Sequence, residues 1–190
     1  MPDASLLFRW LHFLAGITWI GLLYFLNLVN VRFAASLDAS VRPTVMPLLL
    51  TRVLAWFRHS AWITVLAGLI LFYLQFAPNG MVDWGAPRVQ TILIGSLLGI
   101  IMAFNVWVFI WPNQKKIIAA MRAGQAPNPT WGRTALYVSR TNFTLSFPML
   151  LFMSHTAVFD WGGIVIFGLI AAAIGAVVVF TIQKWWAPKF

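Results

Sequence analysis

The sequence predicts an all-α polytopic membrane protein, and three observations lead to that prediction. Of the 190 residues, 61% are hydrophobic and only 9% are charged, whereas soluble domains carry about 25% charged residues. The chain has about five apolar runs of roughly the 20 residues that a helix needs to cross a bilayer. Its 13 Lys and Arg residues outnumber its 4 acidic residues. We therefore expect a single integral membrane domain over residues 1–190.

The predicted helices follow one another without room for a second domain. They lie near residues 8–30, 55–77, 90–112, 135–158 and 162–182. Because lipid satisfies no backbone hydrogen bonds, each run must be helical and must pack against the others. The N-terminal sequence MPDAS lacks the basic segment of a signal peptide, so we expect the first run to be retained as a helix.

The basic residues predict the orientation of this transmembrane bundle. With the N-terminus outside and the C-terminus inside, the inner positions are Arg32, Arg42, Arg52, Arg58, Lys115, Lys116, Arg122, Arg133, Arg140, Lys184 and Lys189. Only two basic residues then lie outside, Arg9 and Arg88. Cytoplasmic loops of membrane proteins collect Lys and Arg, so this orientation fits a bacterial inner (cytoplasmic) membrane. The charge is spread between apolar runs and forms no basic face for nucleic acid.

Absent residue types exclude several kinds of chemistry. Without Cys there is no disulfide, thiolate nucleophile, Fe–S cluster or covalent c-type haem. All four acids are Asp, so an HExxH protease site is excluded. Three His residues remain as the main candidates, because an ionisable residue inside a membrane helix is costly and often functional.

Two of the three His residues are predicted to lie at matching depth. His12 and His155 each lie about one turn from the outer end of their helices, while His59 lies near the inner face. Two imidazoles on different helices are the ligands that a six-coordinate b-type haem needs. Gly16 follows His12 on the same helical face and would let a porphyrin approach, and Arg9 could pair with a propionate.

Two other interpretations of the outer pair stay open. His12 and His155 could bind copper together with Met149 or Met153, since imidazole and thioether suit Cu(I). Alternatively, the two imidazoles only form hydrogen bonds between helices or lie in the interfacial layer of the membrane.

A looser polar cluster is predicted near the inner side, made of Arg58, His59, Asn105, Arg140 and Asn142. Cationic and amide groups there could hold an anionic or carbonyl-rich ligand such as a purine or a quinone headgroup. The same cations are also what the topology demands at inner helix ends. Deeper in the bundle, Trp19 and Trp62 have indole N–H groups that need partners or a cofactor to pack on.

Small residues form faces on two of the predicted helices: Gly95, Gly99 and Ala103 on the third, and Gly168, Ala172 and Ala176 on the fifth. Such faces allow close helix packing. They motivate an alternative function, a non-catalytic accessory subunit of a larger respiratory or photosynthetic membrane complex.

Three strings carry a resemblance to a known family. They are RWLHFLAGITWIG around His12, IMAFNVWVFIWPNQKKIIAAMRAGQ over residues 101–125 and SRTNFTLSFPMLLFMSH over residues 139–155. They resemble the membrane-embedded N-terminal domain of bacterial urate oxidase (urate hydroxylase), and PNQKK and RTN are the most specific parts. The first helix is also similar, more weakly, to the membrane protoporphyrinogen oxidase and copper-resistance transporter families.

The resemblance implies a short relative of that domain. Full-length members have about eight helices followed by a cytochrome c domain, whereas we count about five helices here and no CxxCH motif. A haem-holding bundle that passes electrons to a separate cytochrome c is the function we expect. If the chain is an enzyme, the resemblance implies a membrane oxidoreductase acting on urate or another purine, at Arg58, Asn105, Arg140 and Asn142.

Overall fold

The computed structural model describes residues 4–77, 81–154 and 158–182, and all regular structure in these ranges is helical. We number five helices along the described chain. They are α1 (Ala4–Ser36), α2 (Arg42–Phe76), α3 (Pro87–Arg122), α4 (Pro129–Met153) and α5 (Trp161–Val177, continued by a π-helical turn over Val178–Ile182). The predicted all-helical architecture is confirmed.

Local sequence signals set the ends of these helices. Proline stands in the first turn of α2, α3 and α4, where its missing N–H costs no hydrogen bond. Asn128 and Asp160 cap α4 and α5 by accepting from the backbone N–H groups of Thr130 and Gly163. After α3, Gly124 adopts a positive φ of 68°, which lets the Gln125 N–H reach the carbonyl of Ala120.

Three helices are longer than predicted, and most of the extra length lies at one end of the bundle. Helix α4, predicted near 135–158, spans Pro129–Met153. Helix α1 continues to Ser36, α2 begins at Arg42, and α3 continues to Arg122. The extra segments contain charged residues such as Arg32, Arg52 and Lys115, which interrupt the apolar runs from which the helices were predicted. We call this the basic end, because α1 and α3 finish there and α2 and α4 begin there, close to most of the predicted inner cations.

The first four helices form a bundle in which α1 and α3 each contact both α2 and α4, and α5 packs mainly on α4. Four of the described helices, α1, α2, α3 and α5, are long and apolar enough to cross a membrane. Helix α4 is less apolar because it carries buried polar residues on its inner face, namely Ser139, Asn142 and Ser146. The hydrogen-bond partners of these three side chains lie on neighbouring helices inside the bundle, and hydropathy along one helix does not reveal such partners.

The small-residue faces are used within the chain. Added β-carbons at Gly95 and Gly168 would lie 3.1 Å and 3.0 Å from atoms of Phe152 on α4. Gly175 likewise faces Phe147 and the backbone of Thr144. These positions bring α3 and α5 close to α4, and the accessory-subunit alternative stays a prediction.

Packing is dense toward the basic half of the bundle. Leu23 of α1, Phe57 of α2 and Met102 of α3 are each fully buried. Polar groups there pair across helices. Asn142 donates to the Met102 carbonyl at 2.9 Å and accepts from Asn105 at 2.8 Å.

Two π-helical turns lie at the level of these amides. Asn27, inside the turn Phe25–Asn30 of α1, donates to Ser139 at 2.9 Å. Asn105 directly precedes the second turn, Val106–Ile110 of α3. Since π turns insert a residue into the helical ladder, they set the rotation at which each amide faces α4.

We expect Asn142→Ala to lower the free energy of unfolding by about 1–2 kcal/mol, because it leaves the Asn105 amide and the Met102 carbonyl without their partner. Unfolding in mixed detergent micelles measures the effect. Thr141→Ala is the matched control, since Thr141 is exposed and bonds only within its own helix. Equal stability of the two variants would contradict this account.

Candidate functional site

A cavity of about 840 Å³ lies between α1, α2, α3 and α4, away from the basic end. Its walls come from residues 5–24 of α1, 64–76 of α2, 88–100 of α3 and 149–153 of α4. Most lining residues are apolar, with a few polar groups among them, including Arg9, His12, Gln75, Arg88 and Ser96. Sites for cofactors and small molecules have this composition and occupy about 300–1,000 Å³.

His12 is held in the cavity wall by a hydrogen bond to α2. Its Nδ1 lies 2.8 Å from the carbonyl oxygen of Thr64. A carbonyl oxygen only accepts, so Nδ1 carries the hydrogen and donates it. In the neutral ring Nε2 then keeps its lone pair, which is the arrangement of metal-ligating histidines whose second nitrogen is fixed by a backbone carbonyl.

Gly68 makes this position of the imidazole possible. A β-carbon at residue 68 would lie 2.9 Å from Cε1 and 3.0 Å from Nδ1 of His12, closer than unbonded carbon and nitrogen atoms pack. The ring therefore occupies the space that a side chain at residue 68 would take. Any larger residue there displaces His12 from Thr64.

Further glycines widen the cavity. Gly16, Gly21 and Gly99 line it, and β-carbons added at Gly21 and Gly99 would meet no atom within 4 Å. At Gly16 the nearest atom would be the Thr64 methyl group at 3.7 Å. These positions leave room for a flat ligand to approach the backbone.

Two arginines line the same cavity. Arg9 is exposed and lies one helical turn before His12 on α1. Arg88, at the start of α3, donates to the Ser154 carbonyl at 2.9 Å and so ties α3 to the end of α4. Cationic groups beside an apolar cavity suit a ligand that carries carboxylates at one edge.

The two deep tryptophans differ in environment. Trp19 lines the cavity, is only 1% exposed, and its indole N–H has no hydrogen-bond partner among the described residues. Trp62 is instead 45% exposed and contacts the ring of Trp107. Only Trp19 is therefore buried in the way the sequence suggested.

The remaining predicted metal ligands are placed as follows. His155 lies outside the described residues. Met149 and Met153, the thioethers considered for copper, line the cavity together with His12. Within the described ranges no group of three or more His, Asp, Glu or Cys residues could hold a metal ion.

The predicted inner cluster separates into distinct contacts. Asn105 and Asn142 bond to each other in the core. Arg58 donates to His59 at 3.3 Å, between α2 and the aromatic residues of α3. The guanidinium of Arg140 lies 5.4 Å from the ring centroid of Phe180 on α5. Whether any of these groups binds a ligand stays a prediction.

Comparison of the sequence with known protein families gives one match. The sequence model of a family described as urate oxidase N-terminal matches residues 80–187, which is more than half of the chain. The chain belongs to the urate oxidase N-terminal family. No curated protein and no solved structure matches it.

The family match covers one side of the cavity. It includes α3, α4 and α5, with the PNQKK string on α3 and the RTN string on α4. The matched part contributes Arg88, Gly95 and Gly99 to the lining. His12, Thr64 and Gly68 lie on α1 and α2, before the matched residues. The histidine side of this family member's cavity therefore comes from outside the matched range.

Sequence reasoning overlooked Thr64 and Gly68, which fix the imidazole. Gly68 is the single glycine of the second predicted helix, and this was the signal available in the sequence. Thr64 offered none, because it acts through its backbone carbonyl.

We expect Gly68→Ala to break the His12–Thr64 hydrogen bond and to lower stability by about 1–3 kcal/mol, the usual cost of overpacking. Nitrogen NMR of the imidazole reports the loss of the Nδ1-protonated tautomer. Gly99→Ala is the control, because its β-carbon meets open space. An unchanged imidazole signal in Gly68→Ala would refute the assignment.

Proposed function

We propose that this family member is an integral membrane b-type haem protein that takes part in electron transfer. The observation that carries the proposal is His12, fixed through Nδ1 by the Thr64 carbonyl in the wall of a largely apolar cavity between four helices. When bound, a b-type haem supplies one-electron chemistry.

The residues of the cavity fit this group in three respects. His12 offers Nε2 as an axial ligand, and its hydrogen bond to Thr64 fixes the ring orientation. The glycines at 16, 21 and 99 leave room beside the backbone. Arg9 and Arg88 supply cations for propionates. The second axial ligand is proposed from the sequence as His155, which follows Ser154, the residue whose carbonyl accepts from Arg88.

The direction of electron transfer follows from the proposed orientation. If the basic end faces the cytoplasm, as the distribution of Lys and Arg favours, the cavity lies toward the outer side of a bacterial inner membrane. A separate cytochrome c on that side is the partner we propose. The apolar lining and the axial ligands then set the reduction potential.

We expect the purified protein, expressed with ample haem, to show the Soret band and reduced-minus-oxidised bands of low-spin b-type haem. His12→Gly should lower the haem-to-protein ratio by about tenfold or more, because a ligand contributes at least as much as the partners that orient it. Added imidazole should restore binding to this variant, which a merely structural role of His12 does not predict.

His59→Gln serves as the matched control, because His59 is exposed and does not line the cavity. Its spectrum should equal that of the wild type. A protein without pigment under these conditions, or a His12→Gly variant with a full haem complement, would rule out the proposal.

The family match favours a second candidate function, oxidation of urate or another purine with electrons passing to a separate cytochrome c. The cavity is a better place for such a substrate than the Asn105 and Asn142 amides, since those two amides already satisfy each other.

For this candidate we expect membranes that contain the protein to consume urate only when oxidised cytochrome c is added. Urate loss and cytochrome reduction are followed together by absorbance. Arg88→Gln should slow both, while Lys116→Gln, at the basic end, should leave both unchanged. Membranes that leave urate untouched with and without cytochrome c would eliminate this function.

A further inference from the structure

A second pocket lies at the basic end, on the seam between α2 and α3. It encloses about 280 Å³ and is lined by Thr51, Trp111, Lys115, Ile118, Ala119 and Arg122. The pocket belongs to neither the cavity nor the proposed haem site, which lie toward the other end of the bundle.

Two cations, Lys115 and Arg122, line this pocket, and a third, Arg58, contacts one of its lining residues. The guanidinium of Arg58 lies over Trp111, with its carbon 3.9 Å from the ring centroid. Arg122 donates to the Thr51 hydroxyl at 3.0 Å, and Lys115 lines the wall. The contacts to Trp111 and Thr51 orient the two guanidinium groups next to the pocket.

No carboxylate neutralises this group within the described part of the chain. Arg58, Lys115 and Arg122 have no ion pair with any described Asp. An anion bound among like charges reduces the repulsion between them, so the pocket favours an anionic ligand.

Along the seam, charged side chains near the basic end give way to aromatic and then apolar side chains. Trp107, Trp111, Lys115 and Arg122 follow one another down one face of α3. Above the cations, Trp107 contacts Trp62 and donates from its indole nitrogen to the Arg58 carbonyl at 3.2 Å. The neighbouring turns toward the membrane expose large apolar side chains, Ile63, Phe104 and Val108. The cations are therefore followed, toward the middle of the bundle, first by tryptophan rings and then by exposed apolar side chains. This order matches a lipid headgroup followed by its acyl chains.

We infer that this pocket binds the phosphate headgroup of an anionic phospholipid such as phosphatidylglycerol. The phosphate accepts hydrogen bonds from Arg122 and Lys115 and attracts Arg58, and the acyl chains lie along the exposed apolar face of the seam. Basic pockets between transmembrane helices on the cytoplasmic side bind anionic headgroups in this way.

Native mass spectrometry of the delipidated protein in detergent tests the inference. Phosphatidylglycerol should bind in preference to phosphatidylcholine, which carries the same phosphate but no net charge. Lys115→Gln and Arg122→Gln should each weaken binding by about fivefold, the contribution of one cation near an anionic lipid surface. Lys115→Arg should retain it.

Lys116→Gln is the matched control, because Lys116 follows Lys115 in the chain but lies near the ring of Trp131 instead. It should bind phosphatidylglycerol as the wild type does. Equal binding of the two lipids, or equal affinities of Lys115→Gln and Lys116→Gln, would overturn the inference. Displacement of phosphatidylglycerol by an equal concentration of inorganic phosphate would also overturn it, since a soluble anion would then be the ligand.

Discussion

Polar groups inside a membrane bundle must find their partners within the protein, and α4 is the helix on which this constraint acts most strongly. Ser139, Asn142 and Ser146 lie along its inner face and are buried. They bond to residues of α1 and α3, so α4 contacts both helices while α5 covers its other side. The least apolar helix is therefore the one that organises the bundle.

The same network divides the bundle into a packed half and a hollow half. Below the level of Tyr24, which bonds to Ser146 and also lines the cavity, large side chains fill the space between helices. Above it, the interior is bordered by glycines of α1, α2 and α3. Close packing is the rule in protein interiors, and a cavity of about 840 Å³ departs from it at a place where a bound group would complete the core.

Sequence reasoning could predict the features that depend on composition along one helix. The apolar runs gave the order and approximate centres of the helices, and the spacing placed Arg9, His12 and Gly16 on one face of α1, which now borders the cavity. The sequence could not predict which turn of α2 faces His12, because that depends on how α1 and α2 are aligned along their length. Thr64 and Gly68 therefore went unrecognised, and the helix extensions at the basic end lay outside the apolar signal.

The inner cluster illustrates a related limit. The sequence brings Arg58, Asn105 and Arg140 to a similar depth, yet depth does not define direction around a helix. In the structure Asn105 points to α4, Arg58 to Trp111 and Arg140 toward Phe180. Side chains form one site only if they lie at the same depth in the bundle and also point toward the same place.

His12 and the cavity-lining residues that match the family lie on different helices. The family match, over residues 80–187, includes α3, α4 and α5, of which α3 and α4 line the cavity, with Arg88, Gly95 and Gly99 among the lining residues. The imidazole and the two residues that fix it come from the α1–α2 pair. Because α1 packs most extensively on α2, the His12–Thr64 contact is held by a helix pair that is itself tightly joined. The imidazole and the residues that fix it are therefore structurally separate from the wall that α3 and α4 provide.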